Sequence, residues 1–287
     1  MMETTKDSIE ALDGISETLL IPLYSRAVET QSKNPIIKDH KSVEIVSQLN
    51  KVFRDSSSPL HQRLAQGKVR NRANTKLIAF LAMRSRRFDQ YCLEYLLRCP
   101  SGVIVELGCG LSSRFSRVDN GQVRWYDLDL PEVASIRERF FPETARCQLI
   151  ASSVLDLQWM DQIVPTKDPV LFIAEGLFMY LSEAEVRTLI TKLHRRFPGG
   201  ELACEVVNTF VIKALQKKRW RRKFQQDHHL KTSVTMSFGI PDGHVLESWE
   251  PGIRFLDEWT LFDEGDLLLF FLKKLRSTCP LHCTEKP

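Results

Sequence analysis

No apolar run in this sequence is long enough to cross a bilayer. The longest near the C-terminus, Leu267 to Leu272, is only six residues, against the roughly 20 that a membrane helix needs. The first residues carry Glu3, Asp7 and Glu10 where a secretory signal would have a basic patch followed by an apolar core, so no such signal is expected. Internal repeats and low-complexity tracts are absent. Charge of one sign is also scarce: 40 Lys and Arg against 36 Asp and Glu leave a net +4, without the concentrated basicity of a dedicated nucleic-acid binder. The seven cysteines are odd in number and scattered, several inside apolar strand-like runs, where a free thiol behaves as a small hydrophobe. Cys279-Pro-Leu-His282-Cys283 resembles half of a zinc site but has no second pair at ligand spacing, so no metal is expected. These absences disfavour membrane, nucleic acid and metal as partners and lead to the expectation of a soluble, reducing, cytoplasmic setting.

What is present is an ordinary globular balance: 287 residues, 43 % apolar and 26 % charged, enough for one large domain with additions. The first hundred residues read as helical and polar. Amphipathic stretches run from Ile21 to Thr30, Val43 to Phe53 and Lys76 to Leu97, with a polar segment from Asp55 to Asn74 that Ser56-Ser57-Ser58-Pro59 breaks. After Pro100 the pattern becomes strand–helix alternation. Strands are expected at Val103 to Leu107, Gln122 to Leu128, Cys147 to Ala151, Pro169 to Ala174 and Glu201 to Val207, with one or two closing strands between Arg254 and Leu275. Pro131 opens one helix, and Ser182 with Glu185 opens another as a capping box. Such alternation requires right-handed crossovers. The expected class is therefore α/β: a Rossmann-like, doubly wound, mainly parallel sheet of about seven strands with a helical N-terminal cover. Residues 1–98 would be the extension covering the site, and 99–287 the core with a lid insertion around 208–250.

The chemistry concentrates where the strands end. Glu106-Leu-Gly-Cys-Gly-Leu-Ser-Ser-Arg114 follows the first strand, and its glycines allow a tight turn and close approach of a ligand to the backbone. Asp129 ends the second strand 19 positions past Gly110, near the spacing of about 20 at which a carboxylate takes the ribose hydroxyls of a nucleoside. A pyrophosphate cofactor such as NAD asks for a third glycine where this chain has Ser113. S-adenosylmethionine has no pyrophosphate and tolerates the change, and Glu106 suits its ammonium and sulfonium. The loop therefore favours methyl transfer over hydride transfer.

These motifs resemble the family of leucine carboxyl methyltransferases and tetracenomycin-polyketide O-methyltransferases, class I enzymes dependent on S-adenosylmethionine. The resemblance runs from about Thr18 to Asn208. It rests on Leu23 to Glu29, Asn34 to Asp39, Ala82 to Asp89, Glu106 to Arg117, Tyr126 to Pro131 and Ala174 to Leu181, with the polyketide branch nearer. It implies that Arg84 grips the methionine carboxylate, that Gly108 and Gly110 let the backbone lie against the cofactor, and that Asp129 takes the ribose. It further implies that Asp156 and Leu157 border the adenine, that Glu106 and Glu175 face the charged amino-acid end, and that Tyr180 walls the acceptor pocket. The expected acceptor is a carboxyl or hydroxyl of a small polyketide-like molecule, anionic or phenolic, with a protein C-terminal leucine carboxyl or a non-catalytic cofactor-binding protein as alternatives. A phenol, with pKa near 10, would need a base, for which His194, His228 and His229 are the candidates, none compelling. Arg84 paired at the surface with Asp89, and Asp156 merely capping a turn, are the bland readings. The basic run Lys217 to Lys223 is read as a solvated helix face.

Overall fold

Short apolar runs bounded by glycine, proline and aspartate pair into one sheet. The computed structural model describes residues 19–67, 74–164, 166–215, 236–260, 263 and 278–283. Five parallel strands form the centre: β1 (Val103–Leu107), β2 (Arg124–Asp129), β3 (Cys147–Ala151), β4 (Val170–Ala174) and β5 (Glu201–Val207). Two antiparallel strands, β6 (Phe255–Glu258) and β7 (Thr278–Cys283), close the edge, giving the order β3-β2-β1-β4-β5-β7-β6. The order reverses between β1 and β4, which opens a crevice at their carboxyl ends.

The helices are α1 (Leu20–Thr30), α2 (His40–Phe53), α3 (Pro59–Ala65), α4 (Asn74–Arg98), α5 (Arg114–Val118), α6 (Pro131–Arg137), α7 (Glu183–Arg196) and α8 (Thr209–Leu215). Strand side chains alternate between faces, and that alternation sets the two main cores. Val103, Val105 and Leu107 pack with Phe172 and Ala174 toward α7. Ile104, Trp125, Ile173 and Ala203 pack on the opposite face against Phe88, Tyr91 and Tyr95 of α4. A third core joins α1, α2 and α3 to Leu111, Ile136 and Phe140. The Ser182–Glu185 capping box is formed, with Ser182 N donating to Glu185 Oε2 at 2.7 Å and Glu185 N to Ser182 Oγ at 3.3 Å.

Two details differ from the sequence reading. Pro59 does not break the polar segment but opens α3 as its first helical residue, a place where its missing N–H costs nothing. The closing strands are β6, inside the expected Arg254 to Leu275 stretch, and β7, which lies beyond it. Pro280 sits within β7 opposite Glu205 of β5, and a proline argues against a strand when only sequence is read.

Tyr95 ties α4 to the sheet. Its buried hydroxyl accepts a hydrogen bond from Val103 N at 3.0 Å and donates to Pro169 O at 2.5 Å, joining the starts of β1 and β4. Gly102 must lack a Cβ there, since one would lie 2.1 Å from that hydroxyl. Tyr95→Phe leaves both backbone groups unpaired in the core, so it should destabilise the fold by about 1–3 kcal/mol. Urea unfolding measures this, and an unchanged midpoint would remove Tyr95 from that role.

Candidate functional site

The carboxyl ends of β1 to β4 surround a cavity of about 340 Å³, within the roughly 300–1,000 Å³ usual for small-molecule sites. Each strand delivers its part. Gly108 to Ser112 follow β1, Asp129 ends β2, Ser152 to Leu155 follow β3, and Glu175 to Leu177 follow β4. Arg84 reaches in from α4, while Leu19, Pro22 and Arg26 come from the start of the chain's first described helix. Met179, Tyr180 and Leu181 complete an apolar side.

The glycine loop is held from both sides. Gly108 has φ +65°, and a Cβ there would press on Leu177 at 3.1 Å. Asp129 accepts from Gly110 N at 2.6 Å and from Leu130 N at 2.8 Å, so the loop is tied to the end of β2. Arg137 donates to Gly110 O at 2.9 Å and Ser112 O at 2.7 Å while paired with Asp127 at 2.5 Å. Ser113 earns its place where a nucleotide fingerprint has glycine: its hydroxyl donates to Asp39 at 2.6 Å.

Beneath the cavity lies a buried network of charge. Glu106, Asp127, Glu175 and Glu205 all fall by strand alternation on the face beneath α4, and Glu106 lies directly opposite Asp127 in the β1–β2 register. Like charges placed so are destabilising unless cations intervene. Arg114 bonds Glu106 and Glu175 at close range and Asp89 at 2.9 Å. Arg84 donates from Nε to Glu175 at 2.8 Å and from Nη1 to Glu205 at 3.0 Å. Arg117 links Asp89 at 2.6 Å to Asp39 at 3.1 Å, and Arg26 holds Asp39 at 2.8 Å. This continuous chain contains four arginines and five carboxylates, so one carboxylate lacks its own cation. Glu106 shows the strain of that imbalance: it is 2 % exposed, and its Oε2 has no hydrogen-bond partner among the described residues. Burial pushes its carboxyl up to about 7 despite Arg114. Glu175, between Arg84 and Arg114, is held well below the usual carboxylate range.

Seven of the expected site residues therefore line one cavity: Arg84, Glu106, Gly108, Gly110, Asp129, Glu175 and Tyr180. Asp156 and Leu157 do not. Asp156 caps the following 3-10 turn by accepting from Gln158 N at 3.3 Å, and Leu157 packs into the α7-side core. The wall on that side is Ser152 to Leu155. The surface pairing of Arg84 with Asp89 is also replaced, since Asp89 belongs to Arg114 and Arg117. His194 bonds Pro251 O at 3.2 Å beside a separate small cavity. His228, His229 and the basic run Lys217 to Lys223 lie outside the described residues. Sequence reading missed Arg26, Arg114 and Glu205 as parts of the site. Glu205 carried a signal like that of Glu175: it is a carboxylate inside an apolar strand, where Glu175 directly follows one.

A sequence model of the leucine carboxyl methyltransferase family matches residues 20–194, which span the glycine loop, Asp129 and the Glu175 turn. This chain belongs to that family. As a member it is a methyltransferase, and its cofactor is S-adenosylmethionine. The chain is 30 % identical over 253 residues to the tetracenomycin polyketide synthesis O-methyltransferase TcmP of Streptomyces glaucescens, covering 88 % of this chain and 85 % of that one. It is 29 % identical over 259 residues to the S-adenosyl-L-methionine-dependent methyltransferase dpfgK of Gibberella zeae, covering 85 % and 81 %. Among solved structures, a DUF574 family protein of Streptomyces avermitilis shares the fold with a TM-score of 0.55 at 10 % identity, covering 84 % of this chain and 97 % of that one.

The raised Glu106 carboxyl makes a prediction for the unliganded methyltransferase. Its folded value lies above the ordinary 4.5, so the folded state holds a proton that the unfolded chain releases. That contribution to stability is full below pH 4.5 and is lost as pH rises through about 7, in keeping with proton linkage. Glu106→Gln cannot titrate, so it should lose less stability than the parent across this window. Parallel slopes in denaturant titrations at several pH values would contradict the assignment.

Proposed function

We propose that the cavity holds S-adenosylmethionine with its adenosine toward Asp129 and the β3 end and its amino-acid end over the Arg84–Glu175–Glu106 floor. From there the enzyme passes the methyl group to an oxygen of a small, apolar, polyketide-like acceptor. The fit rests on the donor set. Asp129 spends one hydrogen bond per oxygen on backbone N–H groups, and a carboxylate retains further lone pairs for two ribose hydroxyls. The exposed apolar side chains of Leu130 and Leu155, both at the cavity, suit a flat base. The observation that carries the reading is the charge balance: a floor with one carboxylate in excess suits a ligand that brings a sulfonium and an ammonium against a single carboxylate.

When bound, the cofactor supplies an activated methyl group for in-line displacement. The chain's contribution is then alignment and exclusion of water. Met179, Tyr180 and Leu181 offer the acceptor an apolar wall, and the helices before Arg98 serve as the cover that holds it there. Among the described lining residues there is neither histidine nor lysine. A carboxyl acceptor is already ionised at neutral pH and asks for no base, whereas a phenol must first give up its proton, and the described lining offers only carboxylates to take it. Both oxygen acceptors stay within the proposal, and the likeness to TcmP over 88 % of this chain and 85 % of that one favours the small-molecule reading over a protein C-terminus.

A transfer screen with methyl-labelled S-adenosylmethionine tests it. Aromatic polyketide-like carboxylic acids and phenols should accept label, and a peptide ending in leucine should not. Label on the peptide alone would overturn the small-molecule reading. Asp129→Ala should weaken binding of S-adenosylhomocysteine by about 1–3 kcal/mol, the scale of losing hydrogen bonds to a charged group. Unchanged affinity in the folded variant would overturn the ribose assignment.

A further inference from the structure

Glu205 lies on β5 with 1 % of its surface exposed, a strand and position that the motifs of the cofactor loop do not include. Its carboxylate takes Nη1 of Arg84 at 3.0 Å, with the second oxygen at 3.4 Å. The same side chain lies beside the turn that carries Glu175, where a Cβ built on Gly176 would stand 3.8 Å from Glu205 Oε2. Glu175 takes Nε of the same guanidinium at 2.8 Å, and Ser85 donates to that Glu175 oxygen at 3.0 Å. A guanidinium is a rigid planar fork. With Nε and Nη1 each anchored by a carboxylate, the plane of Arg84 is determined, and neither carboxylate takes Nη2.

We propose that Glu205 is a positioning residue that locks the Arg84 guanidinium so that Nη2 is presented to the amino-acid carboxylate of the cofactor. The inference rests on the reading that Arg84 receives that carboxylate. An arginine free to rotate would lose entropy on each binding event and would divide its donors among several geometries. Two carboxylates at fixed strand positions remove that freedom before the ligand arrives, the preorganisation that a binding site needs. Burial raises the Glu205 carboxyl, opposed first by Arg84, so removing the pair's geometry disturbs both partners. The charged groups around it are Arg84 from α4 and Glu175 from the β4 end.

The test compares two ligands that differ at the amino-acid end. S-adenosylhomocysteine carries the carboxylate, and 5′-methylthioadenosine keeps the nucleoside and sulfur without it. In calorimetric titrations, Glu205→Ala should weaken S-adenosylhomocysteine by about tenfold, the scale of disturbing one charge-assisted contact. It should leave methylthioadenosine within about twofold, inside the scatter of weak polar contacts. Glu205→Gln, which keeps an acceptor for Nη1, should recover most of the loss. If Glu205→Ala does not fold, Glu205→Asp reads the same geometry, because its shorter arm pulls the carboxylate away from Nη1. It should weaken the first ligand and spare the second. Equal losses for both ligands, or none for S-adenosylhomocysteine, would overturn the positioning role. Arg84→Lys separates the two layers: unchanged S-adenosylhomocysteine affinity in that variant removes Arg84 as the carboxylate's partner, whereas sensitivity to Arg84 with indifference to Glu205 removes only this inference.

Discussion

Four carboxylates on one face of a parallel sheet, near its carboxyl edge, cannot be buried without arginines, and the arrangement of this protein follows from that constraint. Glu106 and Asp127 stand opposite each other on neighbouring strands. Each is answered by an arginine from a helix that begins after the strand end, Arg114 from α5 and Arg137 from α6. Arg114 is 1 % exposed and touches three carboxylates. Removing one partner from such a buried group typically costs about 3–5 kcal/mol, because an unpaired charge stays behind. The network is therefore a commitment: α4, α5 and the ends of β1, β4 and β5 keep their relative places or none of these charges is satisfied.

The same network gives the cavity its character. Its five carboxylates outnumber its four arginines, so the floor presents partial negative charge and fixed dipoles. Arg26 and Asp39 extend it into the N-terminal helices, where Asp39 also caps α2 by accepting from Ser42 N at 2.9 Å. The N-terminal helices and the sheet are thereby joined through charge as well as through apolar packing. On the proposed reading, a ligand with mixed charge at one end and a nucleoside at the other meets this floor with its positive groups.

Much of this was legible before any coordinates. The parallel strands announced themselves as apolar runs with turn residues at each end, and their starts and stops agree within a residue or two. Asp129 and Glu175 were visible because a carboxylate directly after an apolar strand needs a reason to be there. Glu205 offered the same reason but stands inside its strand, where the eye counts it as one polar interruption. Arg114 and Arg26 lay in stretches noted for their resemblance to a family, yet their partners are distant in sequence, so nothing local could pair them. Asp156 carries a second signal, because an aspartate after a strand also caps turns, and here it does cap one. β7 was displaced in the reading because Pro280 contradicts strand chemistry and only the pairing with β5 and β6 accommodates it.

The central claim is that this cavity is built for S-adenosylmethionine. Calorimetric titration of the purified protein with S-adenosylmethionine, S-adenosylhomocysteine and NAD tests it most directly. The account predicts saturable binding of the first two at micromolar concentrations, about −8 kcal/mol, and none of NAD. Binding of NAD alone, or of none of the three, would contradict it.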